Sequence, residues 1–138
     1  MTLLLLAARL MLAWVFLRNG LDVLRNPEPR AATAAWLLDG LRTWIPVLPA
    51  DNVVTVRANA GIQLAAGASL ALGIQPRLAA LALAASMLPT TVGGHPFWRH
   101  DDPTRRAQQL IHFEKNLAIL GSLVLVALGS PASDDRGW

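Results

Sequence analysis

Residues 78–88, LAALALAASML, offer no polar face however a helix is wound through them. A helix that is apolar all round has to be buried on every side, either in a large core or in lipid. Four segments have the length and apolar content of such helices, at about residues 2–24, 53–73, 76–92 and 109–128. A chain of 138 residues is too short to hide four of them from water in one core. The pattern therefore predicts an all-α protein, a four-helix transmembrane bundle forming a single domain over 1–138.

Composition agrees, with 54% hydrophobic and 15% charged residues, fewer charges than a soluble domain carries. The uninterrupted apolar runs are about 15–17 residues against the ~20 that a bilayer core prefers. They reach spanning length only when their polar ends are counted, so the polar ends belong inside or at the edge of the membrane. The N-terminal run does not read as a cleavable signal, because no basic residue precedes it and Arg9 interrupts it.

The formal charge of +3 does not point to nucleic acid. The arginines sit near the ends of apolar helices, where anchoring and topology explain them, and no basic run or zinc-finger spacing is present. No nucleic-acid partner is expected; membrane lipids are. The absence of cysteine excludes a disulfide, a thiolate nucleophile and an iron–sulfur ligand set within this chain.

After the first span, Asn26-Pro27-Glu28-Pro29 forces a break. Residues 30–46 follow, with Trp36, Leu37, Leu41, Trp44 and Ile45 set among Asp39, Arg42 and Thr43. That segment is too short and too charged to span, and reads as a helix lying at the interface. Asp51 or Asn52 caps the second span, and Gly73-Ile74-Gln75-Pro76 turns the chain tightly into the third. A second long loop, residues 93–104, precedes the last span.

Four spans place both long loops on one side and both termini on the other. Arg18, Arg25, Arg30, Arg42, Arg57, Arg99, Arg105, Arg106 and Lys115 lie toward the long loops, against Arg77 and Arg136 on the opposite side. The positive-inside rule then expects a protein of the cell membrane with cytoplasmic long loops and external termini.

Polar residues within the spans gather at the long-loop end: Asn19 and Asp22, Asn59 and Gln63, Thr90, Thr91 and His95, then Gln108, Gln109, His112, Lys115 and Asn116. At 100° per residue, Gln108, Gln109, His112, Lys115 and Asn116 share one face of the last helix, and Asn59 and Gln63 share one face of the second. Polar groups in hydrocarbon are costly unless partnered, so these faces meet one another or water. Two readings follow: interhelical hydrogen bonding, or a ligand-binding vestibule lined by Asn59, Gln63, Thr91, His95, Trp98, His112, Lys115 and Asn116. Arg9 stands alone as an intramembrane charge, either snorkelling or bound to helix-end carbonyls or an anionic headgroup. His95, His100 and His112 lack metal-site spacing, so no metal is expected. An imidazole beside Phe97 and Trp98 suits a quinone headgroup, although those two rings also read as interfacial anchors.

The stretches RLMLAWVFLRNGLDVL, NAGIQLAAGASLALGIQPRLAALALAASMLPTTVGGHPFW and QLIHFEKNLAILGSLVLVALG resemble the DoxX family of small bacterial and archaeal membrane proteins. Arg9 and Gly20 match its intramembrane arginine and following glycine, and Lys115-Asn116 with Gly121 match the start of its last helix. Val23 and Gln63 stand where many members carry a lysine and an acid. The resemblance implies the four-span fold and association with membrane redox or oxidative-stress systems. On that reading the chain is an accessory or quinone-associated subunit with no cofactor of its own beyond a bound quinone. His112 and His95 would handle protons, Asn59, Gln63 and Asn116 would orient the headgroup, and Lys115 would favour anionic forms. Electrons would come from a partner protein. The alternatives are a non-enzymatic carrier of a small lipophile or anion, and a structural subunit of a larger complex or homo-oligomer.

Overall fold

A computed structural model describes residues 2–129. The chain forms α1 (Leu3–Arg25), α2 (Glu28–Trp44), α3 (Asn52–Leu72), α4 (Pro76–Gly94), a 3-10 turn (Phe97–Arg99) and α5 (Pro103–Leu128). No strand occurs among the described residues. The described residues are therefore all-α, with five helices, and Arg136, named above among the basic residues, lies outside them.

Local chemistry explains the boundaries. Thr2 caps α1 through its hydroxyl, and the Asp51 carboxylate caps α3 by accepting from the Val53 N–H at 2.8 Å. The helix expected from residue 109 begins instead at Pro103. Asp102 accepts from the Arg105 N–H at 3.2 Å, and proline at the first helical position has no donor to lose. α3 ends where Gly73 adopts φ +73°, with the Ile74 N–H returning to Ser69 O at 2.8 Å and the Gly73 N–H to Leu70 O at 3.2 Å. These two bonds satisfy carbonyls that the helix end leaves free, and a residue with a β-carbon would be strained at that φ.

Three helical segments, Leu3–Arg25, Pro76–Arg99 and Pro103–Leu128, are long and apolar enough to cross a membrane. α3, the fourth expected span, does not reach that composition, because Asn52, Thr55, Arg57, Asn59 and Gln63 crowd its first half. Contacts nevertheless set α3 alongside α1 over most of its length. Arg9 meets Gly73, Phe16 and Leu17 meet Gly67, and Gly20 meets Leu64 and Ala60, so the two helices run antiparallel. α5 is antiparallel to α4 in the same way, with Asn116 bonded to Thr91 and Arg77 against Gly129. α3 and α4 pair through Asn59 and Thr90.

The core lies where these four helices meet: Ala13, Phe16, Ala66, Leu70, Ala79, Ala80, Leu83, Met87 and Leu123. Alanine dominates this list, so the backbones approach closely and van der Waals contact between helices replaces bulky interdigitation. Outward-facing leucines and tryptophans such as Leu4, Trp14, Ile62, Leu78 and Leu125 are exposed, as expected of surfaces that face lipid.

At the tight-turn end, guanidinium groups stand at two helix C-termini. A β-carbon at Gly73 would stand 3.0 Å from a terminal nitrogen of Arg9, and one at Gly129 would stand 2.8 Å from a terminal nitrogen of Arg77. Each arginine thus lies against the partial negative charge of a helix end. The Nε of Arg9 is buried and has no hydrogen-bond partner among the described residues.

α2 crosses over the other end. Its Leu37 packs against Gly93 of α4, where an added β-carbon would meet Cδ2 at 3.1 Å, and Trp36 Nε1 donates to Gly93 O at 3.4 Å. Arg42 fixes the exit from this helix. It donates to Pro49 O at 2.9 Å, pairs with Asp39 and bonds Asn52, which joins α2, the proline loop and α3.

Candidate functional site

The polar residues of the long-loop end are recruited into bonds that run from helix to helix. Arg30 of α2 donates to Asn19 Oδ1 of α1 at 3.2 Å, and Asn19 Nδ2 donates to Gln63 Oε1 of α3 at 3.0 Å. Gln63 is 2% exposed and its Nε2 lies 3.4 Å from Thr90 Oγ1 of α4. Thr90 also accepts from Asn59 Nδ2 at 3.0 Å and donates to Ser86 O at 2.9 Å. On the other side of α4, Thr91 accepts from Asn116 Nδ2 of α5 at 3.2 Å. The polar faces of α3 and α5 therefore do not bond each other. Each bonds one of two successive threonines on α4, which point to opposite neighbours because adjacent helical residues are 100° apart.

These bonds leave a cleft of about 700 Å³ among all five helices. Its polar end holds Asn19, Arg30, Asn59, Gln63, Thr90, His95, Gln109, His112, Lys115 and Asn116. Its apolar wall comes largely from α2, through Ala34, Leu37, Leu38 and Leu41, and core residues Phe16 and Met87 also line it. The cleft has no aspartate or glutamate in its lining, while Arg30 and Lys115 contribute positive charge.

His95 and His112 lie stacked, with ring centroids 5.1 Å apart and planes at 25°. His95 Nδ1 is 2.8 Å from Gln109 Oε1. An amide oxygen can only accept, so this contact places the proton on Nδ1 and leaves Nε2 as the acceptor of the ring. Among the described residues, no third histidine, aspartate or glutamate joins this pair to hold a metal ion.

Of the eight vestibule residues expected from the sequence, Asn59, Gln63, His95, His112, Lys115 and Asn116 line the cleft. Thr91 stands behind it, buried, and holds Asn116. Trp98 does not line it. The Trp98 ring instead packs edge-on against Trp36, Phe97 and Phe113, with centroid distances of 6.3, 5.1 and 6.0 Å, because the 3-10 turn swings it away from α4. Sequence reasoning placed Asn19 and Thr90 at this end without assigning them to the site, and it missed Arg30 and the α2 leucines. Periodicity shows which face of α2 is apolar; it does not show that this face covers a cleft instead of lipid.

Compared with known protein families, residues 4–96 match the DoxX family model, so the match covers α1 to α4 and not the α5 residues of the cleft. No curated protein and no solved structure matches the chain. With more than half of its length matched, the chain belongs to the DoxX family of membrane proteins.

Proposed function

We propose that this DoxX protein crosses the membrane four times, with α2 at the interface, and serves as a quinone-associated accessory subunit of a membrane redox system. The observation that carries the proposal is the cleft, in which hydrogen-bonding and cationic groups converge at one end and leucines form the wall. Its volume of about 700 Å³ suits a lipophilic head and the first part of a tail. A quinone supplies two-electron, two-proton chemistry at its carbonyl oxygens. Within the cleft, Lys115 and Arg30 would donate to such oxygens, Asn59 and Asn116 would orient the head, and Leu37, Leu38 and Leu41 would hold the tail. His112, and His95 through Nε2, would take up or release protons at the same end, with electrons delivered by a partner protein.

The fourth span is α3. Hydropathy averages over all faces, whereas the Asn59 and Gln63 side chains of α3 are turned into protein contacts with α1 and α4. Pairing with α1 from Arg9 down to Gly20 gives α3 the same reach as a helix that is itself apolar enough to cross. The excess of arginine around both long loops puts those loops in the cytoplasm.

The absence of cysteine makes the topology directly testable by single-cysteine labelling in intact cells. Cysteines replacing Val47 and Asp101 are expected to resist a membrane-impermeant maleimide, and one replacing Gln75 is expected to react. Equal reactivity at 47 and 75 would overturn the fourth span.

The ligand is tested by native mass spectrometry of protein purified in mild detergent, with the bound molecule extracted and identified. A stoichiometric quinone is expected in the parent protein and a loss of at least roughly tenfold in occupancy in His112→Ala and Asn59→Leu, in line with ~1.4 kcal/mol per tenfold change. A protein that binds no quinone, and whose two variants lose stability alone, would mean that these residues only join helices. A different lipophile at the same site would favour a non-enzymatic carrier and overturn the redox reading.

A further inference from the structure

A second depression, of about 530 Å³, lies between the start of α2, the 3-10 turn and the start of α5. Three basic residues line it: Arg99, His100 and Arg105, with Thr33, Trp36 and Gln108 beside them. Arg99 is held by stacking, its guanidinium carbon 4.6 Å from the centre of the Trp36 ring, which is itself anchored to Gly93 O through Nε1. The turn that carries Arg99 is closed by Arg99 N–H to Pro96 O at 3.0 Å and Phe97 N–H to His95 O at 2.9 Å. Among the described residues, the side chains of Arg99, His100 and Arg105 have neither an ion-pair nor a hydrogen-bond partner. No aspartate or glutamate lines the depression among the described residues. Asp102 caps α5 through the Arg105 backbone N–H, and Asp101 does not line the depression.

Like charges gathered in a recess repel one another, and an anion relieves that repulsion while accepting their hydrogen bonds. The recess lies at the helix ends, level with Trp36 and Trp98, where aromatic rings mark the headgroup region. One turn further along α5, Ile111 is 63% exposed and offers apolar surface beside the recess. We propose that Arg99, His100 and Arg105 bind the phosphate of an anionic phospholipid, with its acyl chains running along α5 past Ile111. Arginine supplies the paired N–H donors that match phosphate oxygens, and basic recesses between transmembrane helices at this depth suit such headgroups. The recess shares Thr33, Gly94 and Gln109 with the cleft, so a lipid seated there also closes that side of it. The lipid site stands on its own residues and does not depend on what fills the cleft.

The test titrates delipidated full-length protein, in mild detergent, with phosphatidylglycerol and with phosphatidylcholine of identical acyl chains, read by native mass spectrometry. Inorganic phosphate is added in a separate arm. A single phosphatidylglycerol is expected to bind in preference to phosphatidylcholine. Arg99→Gln/Arg105→Gln is expected to weaken it roughly 25-fold, at about fivefold for each charge near the surface. Arg99→Lys/Arg105→Lys should retain much of the binding, and Arg106→Gln, outside the recess, should retain all of it. Thermal unfolding of each variant separates a folding defect from loss of the site. Equal binding of the two lipids, or phosphatidylglycerol binding unchanged in the Gln variant, overturns the proposal. Saturable inorganic phosphate binding that is lost in the Gln variant, with no preference for phosphatidylglycerol, overturns the lipid as the source of the phosphate.

Discussion

Gly20→Val is expected to destabilise the folded bundle by about 3 kcal/mol and to empty the cleft as well. A β-carbon at Gly20 would stand 2.8 Å from Leu64 Cγ and 3.1 Å from the Ala60 carbonyl oxygen. The leucine can change rotamer, but the carbonyl is part of α3 and moves only if the helix moves. Valine adds two further methyl groups at the same crossing, so α1 and α3 must separate. Asn19 and Gln63 bond across that crossing at 3.0 Å, and a separation of even one ångström breaks a bond whose useful range ends near 3.2 Å. Stability can be measured by steric trapping or denaturant titration in detergent, and ligand occupancy by native mass spectrometry. Gly121→Ala is the matched control, since a β-carbon there meets nothing within 4 Å. A Gly20→Val protein as stable as the Gly121→Ala protein would show that α1 and α3 do not cross here.

Leu83→Ala is expected to cost about 3 kcal/mol while leaving the ligand in place. Leu83 is 0% exposed and sits in the core among Ala80, Met87 and Leu123. Half of the other core residues are alanines, which have no side chain long enough to swing into the space that the leucine would leave. The resulting cavity stays open, and its lining loses dispersion contacts outright. Leu83 lies outside the cleft lining, so the hydrogen-bonded end keeps its geometry. Leu83→Met, which preserves volume, is expected to cost less than 1.5 kcal/mol. Loss of ligand from Leu83→Ala without global unfolding would mean that the core and the cleft are one cooperative unit. Read together, the two variants separate damage to the cleft geometry from damage to the core alone.

The sequence was most legible where one residue type has only one physical use. A glycine and a proline three residues apart, Gly73 and Pro76, identify a helix stop and a helix start, and the α3–α4 turn lies there. Asp51 and Asn52 before an apolar run both read as caps, and Asp51 is the one that caps α3. Helical spacing put Gln109, His112, Lys115 and Asn116 together on α5, and all four line the cleft. Gln108, within the same arc but nearer the start of α5, lines the basic recess instead.

Other features were not legible. The start of α5 at Pro103 depends on a side-chain bond from Asp102 that competes with several polar loop conformations. Trp98 looked like part of the vestibule because it follows His95 closely, yet a 3-10 turn rotates it into an aromatic cluster with Phe113. Gly121, which resembles a family position but lies beyond the matched residues, has no packing neighbour among the described residues to explain it. Membership of the DoxX family, seen first in three stretches of residues, is shown by the family model over residues 4–96.

By itself the sequence determined that the protein is helical, that its helices carry long apolar surfaces, and that most of the polar residues within them gather at one end. Those properties follow from composition and from the 3.6-residue period, which act within a single helix. Tertiary structure decided the rest: that Thr90 and Thr91 divide the bonds of α3 and α5 between them, and that Arg9 rests against the end of α3. It also laid the leucines of α2 over a cleft and drew two arginines and a histidine into one recess. The reason is physical. Which side chains meet depends on crossing points and register between helices, and those are fixed by packing across the whole molecule, where a single glycine such as Gly20 sets the distance.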